Sequence, residues 1–148
     1  MRLTEDAAES SRVELGDWNS LKGEAIAIRT AVFVDEQRVP IELELDEFDG
    51  VSVHALARNA TARAVGTGRL LPDGHIGRMA VLKSARGAGV GGALLRALMD
   101  EASRRGFAEV TLNAQTHAIP FYRRFGFVEA GGKYDDAGIP HVTMRARI

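Results

Sequence analysis

The chain has 148 residues, of which 45% are hydrophobic and 26% charged, and its formal net charge is −1. This balance is typical of one folded domain with no general attraction to nucleic acid, and the absence of cysteine excludes disulfides, thiolate zinc sites and a cysteine nucleophile. No apolar run is long enough to span a membrane and the polar residues 1–10 do not resemble a signal peptide, so we expect a flexible N-terminus and a cytoplasmic protein that binds no membrane.

Hydrophobic periodicity and turn signals predict the elements in chain order. Alternating residues predict a short strand over 11–15, and apolar residues at helical spacing predict an amphipathic helix over about residues 20–34. Pro40 interrupts regular structure in the stretch that follows. Beyond it we predict strands over 51–58, 62–71 and 76–82, a helix over 88–105, a strand over 110–112, a helix over 118–125, and strands over 127–130 and 141–147. This order predicts an α/β (α+β) fold, with residues 11–148 forming one domain around a mixed sheet.

A glycine-rich turn, Arg86 to Gly92, lies between a predicted strand and the longest predicted helix. Glycine lets the backbone approach a ligand closely, and the first amides of a helix have no internal partner. Together with Arg86, these amides favour a bound phosphate. The turn lacks the Gly-Lys-Ser/Thr end of a P-loop and lies too late in the chain for a dinucleotide fingerprint. The alternative is a helix entry in which the glycines serve packing alone.

The turn and a second motif together resemble the GNAT superfamily of acyl-CoA N-acyltransferases. Arg86 to Gly91 matches the signature Q/R-x-x-G-x-G/A, and Ala118 to Phe127 resembles A-x-x-x-Y-x-x-x-G-F. Two stretches resemble the small bacterial ElaA-type subgroup: Phe33 to Pro40, and the pattern D-x-x-D-x-x-x-x-H formed by Asp46, Asp49 and His54. The resemblance implies a single-domain, mixed, mostly antiparallel sheet flanked by about four helices. It also implies acetyl transfer from acetyl-CoA to an amine.

The resemblance further implies where coenzyme A binds. Its pyrophosphate is expected on the turn, its pantetheine arm along the preceding strand, and its sulfur beside Tyr122. Many members carry Asn seven residues before this tyrosine, where the chain has Gln115, with Asn113 two residues earlier, so either amide could contact the arm. The expected coenzyme-binding residues are Met79, Ala80, Val81, Arg86, Gly87, Ala88, Gly89, Val90, Gly91, Gly92, Asn113, Gln115, Phe121 and Tyr122.

Acetyl transfer needs a proton donor for the leaving thiolate and a base for the amine. Tyr122 is the candidate donor, since a phenol can protonate a nascent thiolate. The base stays open between the carboxylates that follow the first helix, above all Glu36, and His54, because an imidazole ordinarily titrates near neutrality. His117 and His141 lack ligand spacing, so we predict no metal site.

The segment 35–50 is strongly acidic. It holds seven acids and one base, Arg38, so it carries −6 while the rest of the chain carries +5. We therefore predict that a cationic primary amine, a small molecule or a lysine side chain, is the acceptor. The predicted acceptor-binding residues are Glu36, Glu44, Asp46 and Asp49. The alternative interpretation of these acids is a solvated surface. For the protein as a whole, the alternatives are a non-catalytic acyl-CoA-binding module and a nucleotide-binding protein. Exposed sheet edges make a homodimer possible.

Overall fold

One mixed sheet of eight strands forms the centre of the structure, a computed structural model that describes residues 12–148. The predicted flexible segment 1–10 lies outside the described residues. The strands are β1 Arg12–Gly16, β2 Val53–Arg58, β3 Ala64–Leu70, β4 His75–Val81, β5 Glu109–Gln115, β6 Val128–Glu129, β7 Tyr134–Asp136 and β8 Ile139–Arg147. Their order across the sheet is β1-β2-β3-β4-β5-β8-β6, with β7 paired to β8. All pairs are antiparallel except β4 with β5.

Four helices accompany the sheet: α1 Trp18–Arg29, α2 Ile41–Glu44, α3 Val90–Arg104 and α4 Ile119–Arg123. The Asp17 side chain caps α1 by accepting from the Ser20 amide at 2.9 Å. α1 continues without a break into the π-helical segment Thr30–Glu36. Wider turns of this kind are rare and frequently found at functional sites.

The two long helices pack on opposite faces of the sheet. α3 buries an apolar stripe that includes Leu94, Leu95 and Leu98, whereas α1 packs Leu21 and Ile28 against the other face. Gly66 of β3 permits close packing of α3, because a Cβ there would lie 2.9 Å from the side chains of Leu94 and Val90. The shared core therefore fixes the start of α3 against the middle of the sheet.

The parallel pair β4 and β5 is joined only at its beginning. His75 pairs with Thr111 and Ile76 with Leu112, and no further residues pair along the two strands. β4 also bulges at Arg78, which adopts φ +48°, so that β4 has one residue more than β3 between the paired positions. The backbone of β4 from Gly77 to Val81 therefore faces β5 without a strand partner.

The predicted fold class is confirmed: a mixed, mostly antiparallel sheet with four helices. Three elements differ from the prediction. The helix predicted over about residues 20–34 ends in the π-helical segment Thr30–Glu36. The segment 131–140, which we predicted as a loop, contains β7, and the stretch after Pro40 contains the one-turn helix α2. No helix of the described part of the chain combines the length and apolar character needed to cross a membrane. The possible homodimer stays a prediction.

Candidate active site

A cavity of about 640 Å³ lies where β4 and β5 part. Its walls come from the π-helical segment, the bulged part of β4, the end of β5, α4, and the hairpin of β7 and β8. Seven of the predicted coenzyme-binding residues line it: Met79, Ala80, Val81, Arg86, Asn113, Gln115 and Tyr122. Phe121 lies behind this wall, where its ring contacts those of Tyr122 and Phe125 with centroid distances of 5.1 and 5.2 Å.

The glycines of the glycine-rich turn fall into two pairs with different surroundings. Gly87 and Gly89 adopt φ +85° and +82°, and a Cβ at either position would meet no atom within 4 Å, so both face open space. Gly91 and Gly92 instead pack against α4 and the residues just after it, where a Cβ would lie 3.5 Å from Phe121 and 3.0 Å from Phe125. The first pair suits a close approach to a ligand, and the second pair serves packing.

The start of α3 offers unpaired amides to an anion. Its capping position is Gly89, which has no side chain to bond the first amides, and its first turn contains no acidic residue. The amides that begin a helix carry the positive end of its dipole. The turn is thus shaped to hold a phosphate group, with Ala88 and Val90 between the glycines.

Arg86 joins the turn to the opposite wall of the cavity. Its two terminal nitrogens donate to Glu36 at 2.6 and 2.7 Å, and its Nε donates to the Val81 carbonyl at 3.0 Å. The hydrogen bonds within this pair lower the pKa of Glu36 and raise the pKa of Arg86. Glu36 therefore lines the cavity with its carboxylate occupied by Arg86.

Tyr122 presents its side chain to the cavity from α4. Its ring packs edge-on against Phe121 and Phe127, with centroid distances of 5.1 and 6.0 Å. Burial raises the pKa of Tyr122 to about 12. The phenol therefore stays protonated at neutral pH and can donate a hydrogen bond or a proton.

Arginines from outside the acidic segment pair with several of its carboxylates. Arg29 of α1 pairs with Glu44 and donates to both oxygens of Asp49 at 2.9 and 3.0 Å. Burial alone raises the pKa of Asp49, but the hydrogen bonds from Arg29 and Arg69 outweigh it and lower that pKa. Arg29, Glu44 and Asp49 are all buried, at 1%, 2% and 3% exposure.

Two arginines of the sheet complete this network. Arg69 of β3 donates to the two oxygens of Asp46 at 2.7 and 2.8 Å, and Arg78 donates to the same carboxylate at 3.1 Å. The hydrogen bond from Arg69 is the main cause that lowers the pKa of Asp46 to about 2. Arg78 also donates to the carbonyls of Leu43 and Glu44, so the network fixes the loop after α2 against the bulge of β4.

The network corrects the charge argument drawn from the sequence. Asp46 and Asp49 do not line the cavity, and Glu44 lines it while paired to Arg29. Three acidic and three arginine side chains share the cavity wall: Glu36, Glu44, Asp136, Arg69, Arg78 and Arg86. The wall thus carries balanced charge, and the preference for a cationic acceptor loses its basis.

His54 is the predicted base that the structure moves away from the cavity. It lies buried on β2, its Nε2 bonds the Asp49 carbonyl at 2.9 Å, and its ring lies 4.7 Å from that of Trp18. Burial lowers its pKa. His54 is not among the cavity residues, so it is not placed to accept a proton from a substrate there.

Several residues on the wall were missed by sequence reasoning. Arg69 lies within an apolar, β-prone run, and a charge in such a run signals a buried partner. Gln37 bonds the Gln115 side chain at 2.9 Å and stands beside Glu36 in the segment already singled out. His141 was considered only as a metal ligand.

A sheet that opens between two parallel strands, beside a glycine-rich helix start, defines the fold class of the acyl-CoA N-acyltransferases. The model of the Acetyltransferase (GNAT) domain matches residues 19–148. The chain is 43% identical over 125 residues to the uncharacterized N-acetyltransferase YjcF of Bacillus subtilis, covering 82% of this chain and 89% of that protein. It is 32% identical over 130 residues to protein ElaA of Escherichia coli, covering 83% and 85%.

Two crystal structures show the same architecture. Escherichia coli ElaA superposes with a TM-score of 0.81 at 28% identity, over 92% of this chain and 99% of that one. An acyl-CoA N-acyltransferase from Pseudomonas aeruginosa superposes with a TM-score of 0.81 at 31% identity, over 93% and 99%. The chain belongs to the GNAT acetyltransferase family, and the resemblance drawn from its two motifs is confirmed.

Proposed function

We propose that the protein transfers an acetyl group from acetyl-CoA to a primary amine by direct attack in a ternary complex. The observation that carries this proposal is one cavity lined by the unpaired backbone of β4, by Arg86 at the start of the glycine-rich turn and by Tyr122. Family membership supports acyl transfer from an acyl-CoA. The acetyl group and the amine are the finer steps that we propose.

The residues of the cavity suit the parts of coenzyme A. The backbone groups of Met79 and Ala80 have no partner on β5 and can pair with the amides of the pantetheine arm, whereas the Val81 carbonyl accepts from Arg86. The first amides of α3 and the Arg86 guanidinium suit the pyrophosphate. Asn113 is exposed and accepts from Thr143 at 2.9 Å, whereas Gln115 is held by Gln37. We assign the side-chain contact with the pantetheine arm to Asn113 in preference to Gln115.

Bound acetyl-CoA supplies an activated thioester, and the protein supplies orientation and proton transfer. Tyr122 protonates the departing sulfur, since its phenol keeps its proton across the physiological range. The chain offers no cysteine for an acyl-enzyme, so direct attack by the amine is the simplest route. The balanced charge of the wall suits a primary amine without selecting a polycation.

The test is thiol release from acetyl-CoA with a panel of amines of differing charge. We expect release to depend on the amine and to require the free primary amino group. Protection against thermal unfolding is measured in parallel with coenzyme A, ATP and NAD, and coenzyme A should protect most. Tight binding of acetyl-CoA with no turnover over a wide panel would instead identify a sensing module.

A further inference from the structure

Among the three histidines that line the cavity, His141 is the buried one, at 9% exposure. His117 is exposed, and His75 is half-buried with its Nδ1 3.0 Å from the Asp73 carboxylate. The His141 ring stacks on Tyr134 at 5.9 Å between centroids. Its position on the wall is therefore set by packing.

A backbone carbonyl sets the tautomer of the His141 ring. Its Nδ1 lies 2.7 Å from the Ile139 oxygen, and a carbonyl oxygen can only accept, so Nδ1 carries the proton. In the neutral ring Nε2 is then the basic nitrogen. Within residues 12–148 this nitrogen has no protein partner. An imidazole held in this way is ready to accept a proton from a molecule in the cavity.

The register of the sheet shows which side of the cavity His141 occupies. Val142 and Met144 of β8 are buried in the core beneath α3, so His141 points to the opposite face. Its direct partner on β5 is Gln115, whose amide bonds Gln37 at the end of the π-helical segment. His141 thus faces the side built by the π-helical segment, across the sheet from α3.

The other predicted bases are occupied or remote. Glu36 is held by two bonds from Arg86, Glu44 is buried against Arg29, and His54 lies outside the cavity. We propose that His141 Nε2 is the general base that removes a proton from the acceptor amine. This assignment rests on the proposed N-acyl transfer and names the residue that the transfer requires.

The protons balance as follows. An alkylammonium acceptor gives one proton to His141 Nε2, directly or through one water, and its freed lone pair forms the C–N bond as the C–S bond breaks. Tyr122 protonates the thiolate, and the second proton lost from the nitrogen restores the phenol. His141 then releases its proton to solvent, so each turnover yields one amide, one thiol and one proton.

The decisive variant is His141→Asn, whose side-chain amide can still donate to the Ile139 carbonyl but has no basic nitrogen. The acceptors are an α-blocked lysine, with a pKa of about 10.4, and aniline, which is neutral at pH 7. For the lysine at pH 7 we expect kcat/KM to fall about 100-fold or more. The loss should shrink as the pH rises toward 10 and should be small for aniline. In both cases the amine is already neutral, so it needs no base to free its lone pair. The rate of the same variant with aniline is the internal control for an intact fold.

Other titratable groups contact His141 or line the same cavity, and they belong to the same pH profile. Tyr134 and Asp136 lie on β7, His117 on the turn after β5, Tyr122 on α4 and Glu36 on the π-helical segment. The effect of His141 is therefore read as the difference between wild type and His141→Asn at each pH. A second measurement needs no turnover: imidazole ¹⁵N NMR of the wild-type protein should find the His141 proton on Nδ1.

Three results would overturn the assignment. One is wild-type activity in His141→Asn, and another is an equal loss at every pH and for both acceptors, which a structural role predicts. The third is a His141 proton on Nε2, which stands even if the variant fails to fold. If wild type binds acetyl-CoA yet acetylates no amine, the proposed function fails first, and the base assignment fails with it.

Discussion

Glu36 and Arg86 form a two-bond ion pair, at 2.6 and 2.7 Å, between the π-helical segment and the turn that follows β4. We propose that the Arg86 guanidinium binds the pyrophosphate of coenzyme A. The Glu36 carboxylate already binds this guanidinium, so it competes with the coenzyme. Glu36→Gln should bind coenzyme A more tightly, by about 1.5- to 5-fold, because an exposed pair contributes about 0.2–1 kcal/mol. Isothermal titration calorimetry measures this change.

Two controls separate competition from support. Pantetheine, which lacks the pyrophosphate, should bind wild type and Glu36→Gln equally. In an Arg86→Ala background the Glu36 substitution should have no effect on affinity. Weaker coenzyme binding in Glu36→Gln would show that the pair orients Arg86 for the phosphate instead.

Tyr122→Phe removes the proposed proton donor while keeping the aromatic packing against Phe121 and Phe127. We expect kcat to fall about 100-fold, with little change in KM for acetyl-CoA. Since the pKa of Tyr122 is raised to about 12, the wild-type enzyme should not lose this donor near pH 10, where an ordinary tyrosine is half ionised. Steady-state kinetics of both proteins across pH decides, and an unchanged kcat removes Tyr122 from the mechanism.

Gly89→Ala tests the glycine-rich turn against a matched position. Gly89 and Gly106 begin and end α3 with φ +82° and +90°, and in both a Cβ would meet no atom within 4 Å. Alanine at either should lower the free energy of unfolding by about 1–2 kcal/mol. Only Gly89→Ala should also weaken coenzyme A binding. Equal coenzyme affinity in the two variants would contradict the placement of the pyrophosphate.

The arginine network predicts an acid-sensitive fold. The pKa of Asp46 is lowered from 3.8 to about 2, so its ion pairs stabilise the protein above pH 4 and are lost as the pH falls toward 2. This loss amounts to about 2 kcal/mol of unfolding free energy. Urea unfolding at a series of pH values between 2 and 5 gives the free energy of unfolding as a function of pH. This free energy should change less with pH for Asp46→Asn than for wild type. An equal pH dependence in the two proteins would mean that Asp46 is not held as the network requires.

Much of the fold followed from local patterns. The helix predicted over 88–105 forms as α3, because its apolar stripe is encoded within a few residues. β7 was missed because its three residues are all exposed and its only support is pairing with β8. The π-helical segment was missed for a related reason, since apolar spacing does not distinguish an α-helix from a wider one.

The candidate site shows the same division. Arg86 and Tyr122 stand in contiguous motifs and both line the cavity, whereas Gly87 to Gly92 of the turn do not. The charge of segment 35–50 was misread because Arg29, Arg69 and Arg78 reach it from three other elements. The proposed role of His141 as a base depends on its bond to the Ile139 carbonyl and on its pairing with Gln115 across the sheet. Residue spacing along the chain reveals neither.

The central claim is acyl transfer to an amine, and mass spectrometry of the acceptor tests it most directly. Acetyl-CoA and a panel of primary amines are incubated in three separate reactions, one with the wild-type protein, one with Tyr122→Phe and one with His141→Asn. We predict an N-acetylated amine in amounts equal to the thiol released, with both variants strongly reduced at pH 7. Release of thiol without any acetylated amine, or equal product in all three reactions, would contradict the account.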